Sequence, residues 1–298
     1  MNFDFTEEQT MLRDSVARFV QDEYDFDTRV AIADSAQGYS PEKWQTFAEL
    51  GWLSIPFEEE YGGFGGSAVD VMLVMEELGK GLVLEPYLAT VLLFGGLLQK
   101  AGSPQLKSEF LPSIIDGSCQ GAFAYLEKQS RFELADVATR ATSTDQGYTI
   151  SGEKVVVFNG AIADHVIVSA RTSGEQTDEA GISLFLVPAD AQGLERVEYK
   201  LMDGQRVANL TFNDVQVSSE QLLGEADQAF EMIAALEREA NLALSAEALG
   251  IMQQLNAKTV EYTRTREQFG VAIGSFQALQ HRMVDTFMAY EQTRSLLY

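Results

Sequence analysis

The densest chemistry in this 298-residue chain lies in Arg264-Thr265-Arg266-Glu267-Gln268-Phe269-Gly270. Two arginines, an amide and an aromatic sit together at the end of a long helical stretch. A guanidinium makes charge-assisted, bidentate hydrogen bonds to a diphosphate, and an adjacent exposed ring offers a face for stacking. The same guanidinium close to a helix C-terminus is favoured by the helix dipole alone. Composition does not separate the two readings.

Gly62-Gly63-Phe64-Gly65-Gly66-Ser67-Ala68 contains the G-x-G-x-x-A spacing of a dinucleotide fingerprint. That fingerprint works only behind a parallel strand in a βαβ unit. Here Pro56 and Glu58-Glu59-Glu60 precede it among helical surroundings, so a tight structural loop is expected. The one cysteine, Cys119, has no neighbouring histidine in sequence and reads as a small buried hydrophobe. His165 opens an apolar strand run and reads as structural. The spacing of Cys119, His165 and His281 resembles no metal site, and nothing suggests a Ser-His-Asp triad or a P-loop.

These groups need elements to hold them. Thr6-Glu7-Glu8-Gln9 is a capping box ahead of an apolar stripe at Leu12, Val16, Phe19 and Val20. Further helices are expected from Pro41 to a stop at Gly51, and from Ser67 through Val71, Val74, Met75 and Leu78. Pro86 to Gln99 is apolar nearly all round and should be a buried helix. One more runs from Pro104 to Ile115. Beyond Gly121, short β-branched runs alternate with turns: Tyr148 to Ser151, Val155 to Phe158, His165 to Ala170, Ile182 to Val187 and Val207 to Val217. Helical periodicity returns after Gly224, first from Phe230 toward Thr263, then from Phe276 to Leu297. The reading is an α+β, multidomain chain. Residues 1–118 form an α-helical N-terminal domain, 119–222 an antiparallel, barrel-like β domain, and 223–298 the start of a helical bundle. An apolar stripe still running at Leu296, Leu297 and Tyr298, without a capping glycine, suggests a chain cut within that bundle.

Apolar residues make up 46% and charged residues 22%, enough for a sizeable core. With 45 acidic and 21 basic residues the net charge is −24, which repels phosphate backbones and anionic lipid. No nucleic-acid or membrane partner is expected, and no apolar run reaches the ~20 residues of a membrane span. A single cysteine and a start without basic residues fit the cytoplasm.

The order of elements and several motifs together resemble the acyl-CoA dehydrogenase family over essentially the whole chain. The matching pieces are Glu60-Tyr61-Gly62-Gly63-Phe64-Gly65-Gly66, Met75-Glu76-Glu77-Leu78-Gly79 and Gly152-Glu153-Lys154 with Asn159-Gly160 and Ala163-Asp164. The most specific is Arg266-Glu267-Gln268-Phe269-Gly270. The resemblance implies FAD as cofactor, with Arg266, Gln268 and Phe269 holding the diphosphate and adenine of FAD bound mainly by a neighbouring subunit. It also implies that Tyr125, Leu126, Val157 and Phe158 face the flavin. Two departures stand out. Leu126 occupies the place of the family's flavin-bonding threonine, and Val156-Val157-Phe158 that of Trp-Ile-Thr/Ser. Leu126 and Phe158 cannot donate hydrogen bonds, and an unpaired buried heteroatom costs about 1–3 kcal/mol. Alternatively, backbone N–H groups do the binding at these positions.

Proton abstraction at the substrate's α-carbon requires a carboxylate. In the family it lies beyond the position of Tyr298 or on the long helix, just before an arginine. The helix register puts Ala240 and Asn241 there, or, aligned through Gly224, Glu239. Glu237-Arg238 is the right dipeptide three residues early, and Glu237, Arg238 and Glu239 otherwise read as a solvated face. The base therefore stays unassigned, with Glu239 as the candidate. Arg131-Phe132-Glu133-Leu134-Ala135-Asp136-Val137 and Glu85-Pro86-Tyr87-Leu88-Ala89 resemble the small, or β, subunits of two-component, pimeloyl-CoA-type members. The implied activity is α,β-dehydrogenation of an acyl-CoA thioester, with electrons passed to an electron-transfer flavoprotein. The implied assembly is an oligomer, a tetramer of this chain or one with a homologous large subunit. The alternative is a non-catalytic structural partner that only completes a neighbour's FAD site.

Overall fold

The computed structural model describes residues 4–298. Helix α1 spans Glu7–Glu23 behind the expected capping box, in which the Gln9 amide donates to Thr6 Oγ1 and the Thr6 amide to Gln9 Oε1, both at 3.1 Å. Helix α2, Phe26–Asp34, has no counterpart in the sequence reading. Helix α3, Pro41–Glu49, starts on the Ser40 hydroxyl, which accepts from the Lys43 amide. Helix α4 is Ala68–Gly81. The apolar stretch read as one buried helix winds differently: Tyr87–Gly95 is a π-helix that runs into α5, Gly96–Ala101. Helix α6, Pro104–Ile115, is capped by Ser103.

Eight strands follow: β1 Gly121–Ala124, β2 Arg140–Thr144, β3 Gly147–Phe158, β4 His165–Arg171, β5 Ile182–Pro188, β6 Leu194–Lys200, β7 Arg206–Ser218 and β8 Leu222–Leu223. They pair in the order β6-β7-β3-β2-β4-β5-β8, with β1 joined to β4. Pairing is mostly antiparallel, but β1 lies parallel to β4. The two runs read between Tyr148 and Phe158 are one strand, irregular at Ile150/Gly152 and again at Lys154/Val157. Helix α7 spans Phe230–Thr265, a hairpin pairs β9 Glu267–Gln268 with β10 Val271–Ala272, and α8 covers Gln277–Leu297. Among the described residues no helix is long and apolar enough to cross a membrane.

The chain divides into two compact units: Met1–Val30, Ala68–Val83 and Asn241–Tyr298 form one, Ala31–Ser67 and Leu84–Ala240 the other. In the first, α4 and α7 touch backbone to backbone. A Cβ on Gly79 would stand 2.2 Å from the Glu247 carbonyl oxygen, and one on Gly250 1.9 Å from that of Glu76. Close packing of this kind has no room for a methyl group, so the glycine closing Met75-Glu76-Glu77-Leu78-Gly79 serves the helix crossing. In the second unit, inward residues of the sheet, among them Val166, Val168, Phe185, Val187, Ala208 and Leu210, form one core cluster. Strand β1 is tied to the π-helix through Thr90, whose hydroxyl donates to the Gly121 carbonyl at 3.2 Å and accepts from the Gly121 amide at 3.3 Å.

Candidate cofactor-binding site

The end of β1 and the irregularity of β3 meet on one partly exposed face. The Val155 amide donates to the Leu126 carbonyl at 2.9 Å, bringing Tyr125-Leu126 beside Val155-Phe158. Where β3 slips its register, Val156 takes φ +52°, and its amide turns to Asn209 Oδ1 at 3.1 Å. A β-branched residue in the left-handed region is strained, and such strain at a bulge collects at functional sites, where it re-aims side chains. Asn159, at φ +61°, ends the strand; its side-chain amide reaches Thr90 Oγ1, Gln120 Oε1 and the Gly121 carbonyl at 3.2–3.3 Å. That anchorage explains Asn159-Gly160: Asn tolerates a positive φ and ties the strand end to β1.

Of the residues read as flavin-facing, Tyr125, Leu126 and Phe158 are partly exposed. Val157 is 1% exposed and packs in the sheet core, so only its main chain is available to a ligand. The Tyr125 ring stacks on Phe123, centroids 4.9 Å apart. Among the described residues no group accepts from the Leu126 amide, which leaves a donor at the rim of an apolar surface. Burial raises the Tyr125 phenol above its ordinary range, and the Glu237 carboxylate adds to the effect.

Behind this face lies a pair the sequence reading missed. Lys154 is 0% exposed, and its ammonium donates to Glu127 Oε1 at 2.7 Å, Ser169 Oγ at 3.0 Å and the Tyr125 carbonyl at 3.2 Å. Glu127 also accepts from the amides of Ala138 and Thr139 and from Gln129 Nε2. Burial alone would raise the Glu127 carboxyl, yet the Lys154 charge and these hydrogen bonds hold it below the usual range. Burial brings Lys154 down to about 8, against the upward pull of Glu127. The available signal was a lysine opening the apolar run Val155-Val156-Val157-Phe158, with a glutamate 27 positions before it.

The Arg266 hairpin is built separately, at the end of α7. Gln268 and Val271 pair, leaving Phe269 and Gly270 as a two-residue loop with φ +56° and +78°. Two left-handed residues in succession suit the right-handed twist of a short hairpin, and the second is the glycine. Phe269 is held at the tip, 92% exposed, touching Phe276 edge-on. Arg266 is exposed, and no carboxylate among the described residues pairs with it; only its backbone is bonded, to Tyr262 and Ile273. Gln268 spends one amide proton on the Glu267 carbonyl.

Glu239 Oε1 accepts from Lys100 Nζ of α5 at 2.8 Å, with the carboxylate 58% exposed. Ala240 and Asn241 follow it, without an acid. Glu237 lies on the other flank of the helix, toward Tyr125. An exposed ion pair contributes about 0–1 kcal/mol. Glu239→Gln is therefore expected to fold normally and keep activity within about tenfold of the parent assembly, measured as kcat/KM. A loss of about 10³-fold with flavin content unchanged would instead make Glu239 the general base.

The glycine-rich loop is internally satisfied. The amides of Gly63, Phe64, Gly65 and Gly66 donate to the carbonyls of Glu58, Ser54, Phe57 and Ile55. Those N–H groups are spent on the loop itself, as the tight-loop reading expected. Cys119 is buried, its thiol pushed up to about 11 by burial, with Sγ 4.0 Å from His165 Nδ1. Burial also lowers His165, whose ring packs edge-on against Phe110. Among the described residues no cluster of three metal-ligating side chains occurs.

A helical segment, a largely antiparallel sheet and a long-helix pair, in that order, define the architecture of a flavin-type dehydrogenase. The chain belongs to the acyl-CoA dehydrogenase family. Residues 6–118 match the family's N-terminal domain, 122–215 its middle domain and 231–298 its C-terminal domain. It is 32% identical over 302 residues to the probable acyl-CoA dehydrogenase YngJ of Bacillus subtilis, a match covering 100% of this chain and 79% of YngJ. Butyryl-CoA dehydrogenase from Megasphaera elsdenii superposes with a TM-score of 0.90 at 29% identity, covering 100% of this chain and 79% of that one. The FAD complex of PigA gives 0.90 at 28% identity with the same coverage.

Proposed function

We propose that this chain is an FAD-dependent acyl-CoA dehydrogenase subunit that catalyses α,β-dehydrogenation of an acyl-CoA thioester and passes electrons to an electron-transfer flavoprotein. The observation that carries this reading is the face made by Tyr125, Leu126 and Phe158, with the unbonded Leu126 amide at its rim. A flat, largely apolar ring with acceptors on its edge fits there, the amide replacing the donor that a leucine side chain lacks. Bound FAD would supply a hydride acceptor. The chain's own contribution is to seat the ring, exclude water with Tyr125 and Phe158, and present Arg266, Gln268 and Phe269 to a diphosphate and an adenine. The proton acceptor is not among Glu239, Ala240 and Asn241.

The division at 1–118, 119–222 and 223–298 is part of the same reading, as is a cytoplasmic setting. Leu255, Val284, Phe287, Met288 and Leu296 expose apolar surface along α7 and α8. Patches of that kind mark interfaces, and they support an oligomer in which the Arg266 hairpin serves a neighbour. One observation favours a second reading: Leu126 and Phe158 bring no side-chain donor, while Arg266 pairs with no carboxylate among the described residues and Phe269 is 92% exposed. On that reading the chain is the small subunit of a two-component enzyme and completes the cofactor site of a homologous large subunit. Purified alone, the protein is expected to sediment as an oligomer and to be yellow, with about one FAD per chain. A colourless protein that takes up no added FAD would decide for the second reading.

A further inference from the structure

Lys154 and Glu127 form a fully buried ion pair in the middle of the sheet unit. Two charges withdrawn from water gain little net stability, and apolar replacements of similar volume are often as stable. Stability alone is therefore a weak reason for this pair. Its hydrogen bonds suggest another. The three protons of Lys154 Nζ go to Glu127, Ser169 and the carbonyl of Tyr125. The Glu127 carboxylate takes the amides of Ala138 and Thr139, at the far end of the loop that follows β1. Leu126 lies between a residue held by its carbonyl and a residue held by its side chain. Its own carbonyl is bonded to Val155, the residue next to Lys154. Lys154 also precedes the strained Val156 on the same strand.

We propose that the Lys154–Glu127 pair is a positioning device for the cofactor face, locking the backbone on both sides of Leu126 so that its amide and the Tyr125 and Phe158 rings meet a bound isoalloxazine in one fixed arrangement. The proposal rests on the flavin reading above. Neither residue reaches the face itself, so both act through the backbone of Tyr125, Leu126 and Val155.

The test replaces both charges together, Lys154→Met with Glu127→Leu, which strands no buried charge. The double variant is expected to keep its circular dichroism and oligomeric state, to bind FAD at least about 30-fold more weakly, and to shift the bound-flavin absorption band. Wild-type affinity with an unshifted band overturns the proposal and leaves the flavin reading intact. If neither protein takes up FAD, both fall. Should the double variant not fold, Ser169→Ala carries the test, since it removes one Lys154 acceptor and keeps the charges paired. Its FAD affinity is expected to fall several-fold with the melting temperature nearly unchanged, and an unchanged affinity again overturns the proposal. The wild-type protein offers a further readout. Lys154 faces Glu127 from the loop, Ser169 from β4 and the Tyr125 carbonyl, and burial keeps the Tyr125 phenol protonated. With its folded value lowered to about 8, Lys154 loses its charge above that pH while the unfolded chain keeps the proton, so this group adds stability as pH rises. FAD affinity is expected to weaken between about pH 7 and 9 without a loss of thermal stability from this group. A flat affinity profile counts against the pair.

Discussion

Arg266→Ala is expected to weaken FAD retention by the assembled protein about 10- to 100-fold while leaving the folding of this chain unchanged. Arg266 is exposed and has no carboxylate partner among the described residues, so removing it breaks no ion pair within the chain. Phe269, beside it at the hairpin tip, is 92% exposed at φ +56°. An aromatic held in the left-handed region, almost wholly in water and touching only Phe276 edge-on, gains little from its own fold, which points to a ligand outside the chain. Charge-assisted hydrogen bonds to a diphosphate contribute about 1.5–3 kcal/mol, the source of the expected factor. In a mixed assembly the loss should appear at the partner's flavin. Equilibrium dialysis of FAD against parent and variant oligomers measures it, and equal affinities would sink the assignment of Arg266.

Arg171→Met is expected to cost about 4 kcal/mol or more of stability, with a drop in melting temperature of about 10 °C or more. Arg171, on β4, is 1% exposed. Its guanidinium donates to the carbonyls of Ala135 and Val137 on one loop and of Ser173, Gln176, Asp178 and Ala180 on another. Methionine fills comparable volume but donates nothing, so those carbonyls lose a buried, charged partner together. Lysine, with three donors on one atom, cannot span two loops. Because Ala135 and Val137 belong to the segment that Glu127 also grips, FAD affinity should fall as well. Denaturant unfolding of the variant decides the matter. A change below about 1 kcal/mol would mean that water re-solvates both loops and that the staple is dispensable.

Much of this protein could be read before folding it. The capping box at Thr6, the Ser40-Pro41 start and the stripe of α4 are local codes: their partners lie three or four residues apart, so sequence spacing alone reports them. Helix α2 was missed because Phe26–Asp34 carries its apolar residues without a one-sided stripe, and only packing decides that such a segment coils. Strands β2 and β6 were missed for a related reason. They are polar and largely exposed, as in Arg140–Thr144 and Leu194–Lys200, so they read as loop until neighbouring strands supply their hydrogen bonds.

The candidate site divides in the same way. The hairpin at Arg266 was legible because its diphosphate chemistry and its tight turn occupy adjacent residues. From the sequence alone, Leu126 and Phe158 registered as lost side-chain donors. Only the fold shows that no group among the described residues accepts from the Leu126 amide just past β1, and that Val157 turns into the core while Tyr125 and Phe158 do not. That Glu239 is paired with Lys100 of α5 could not be read from sequence either. Lys154 and Glu127 are 27 positions apart, and although Lys154 lies in a matching motif, nothing in the sequence pairs the two. Sequence by itself determined the family, the succession of helical, β and helical segments, and several local caps and turns, since those rest on short-range hydrogen bonding and periodic burial. Which charges are buried, which backbone donors remain open and which carboxylate is already spoken for were decided by tertiary structure alone, because burial and pairing belong to the residues that long-range packing brings into contact.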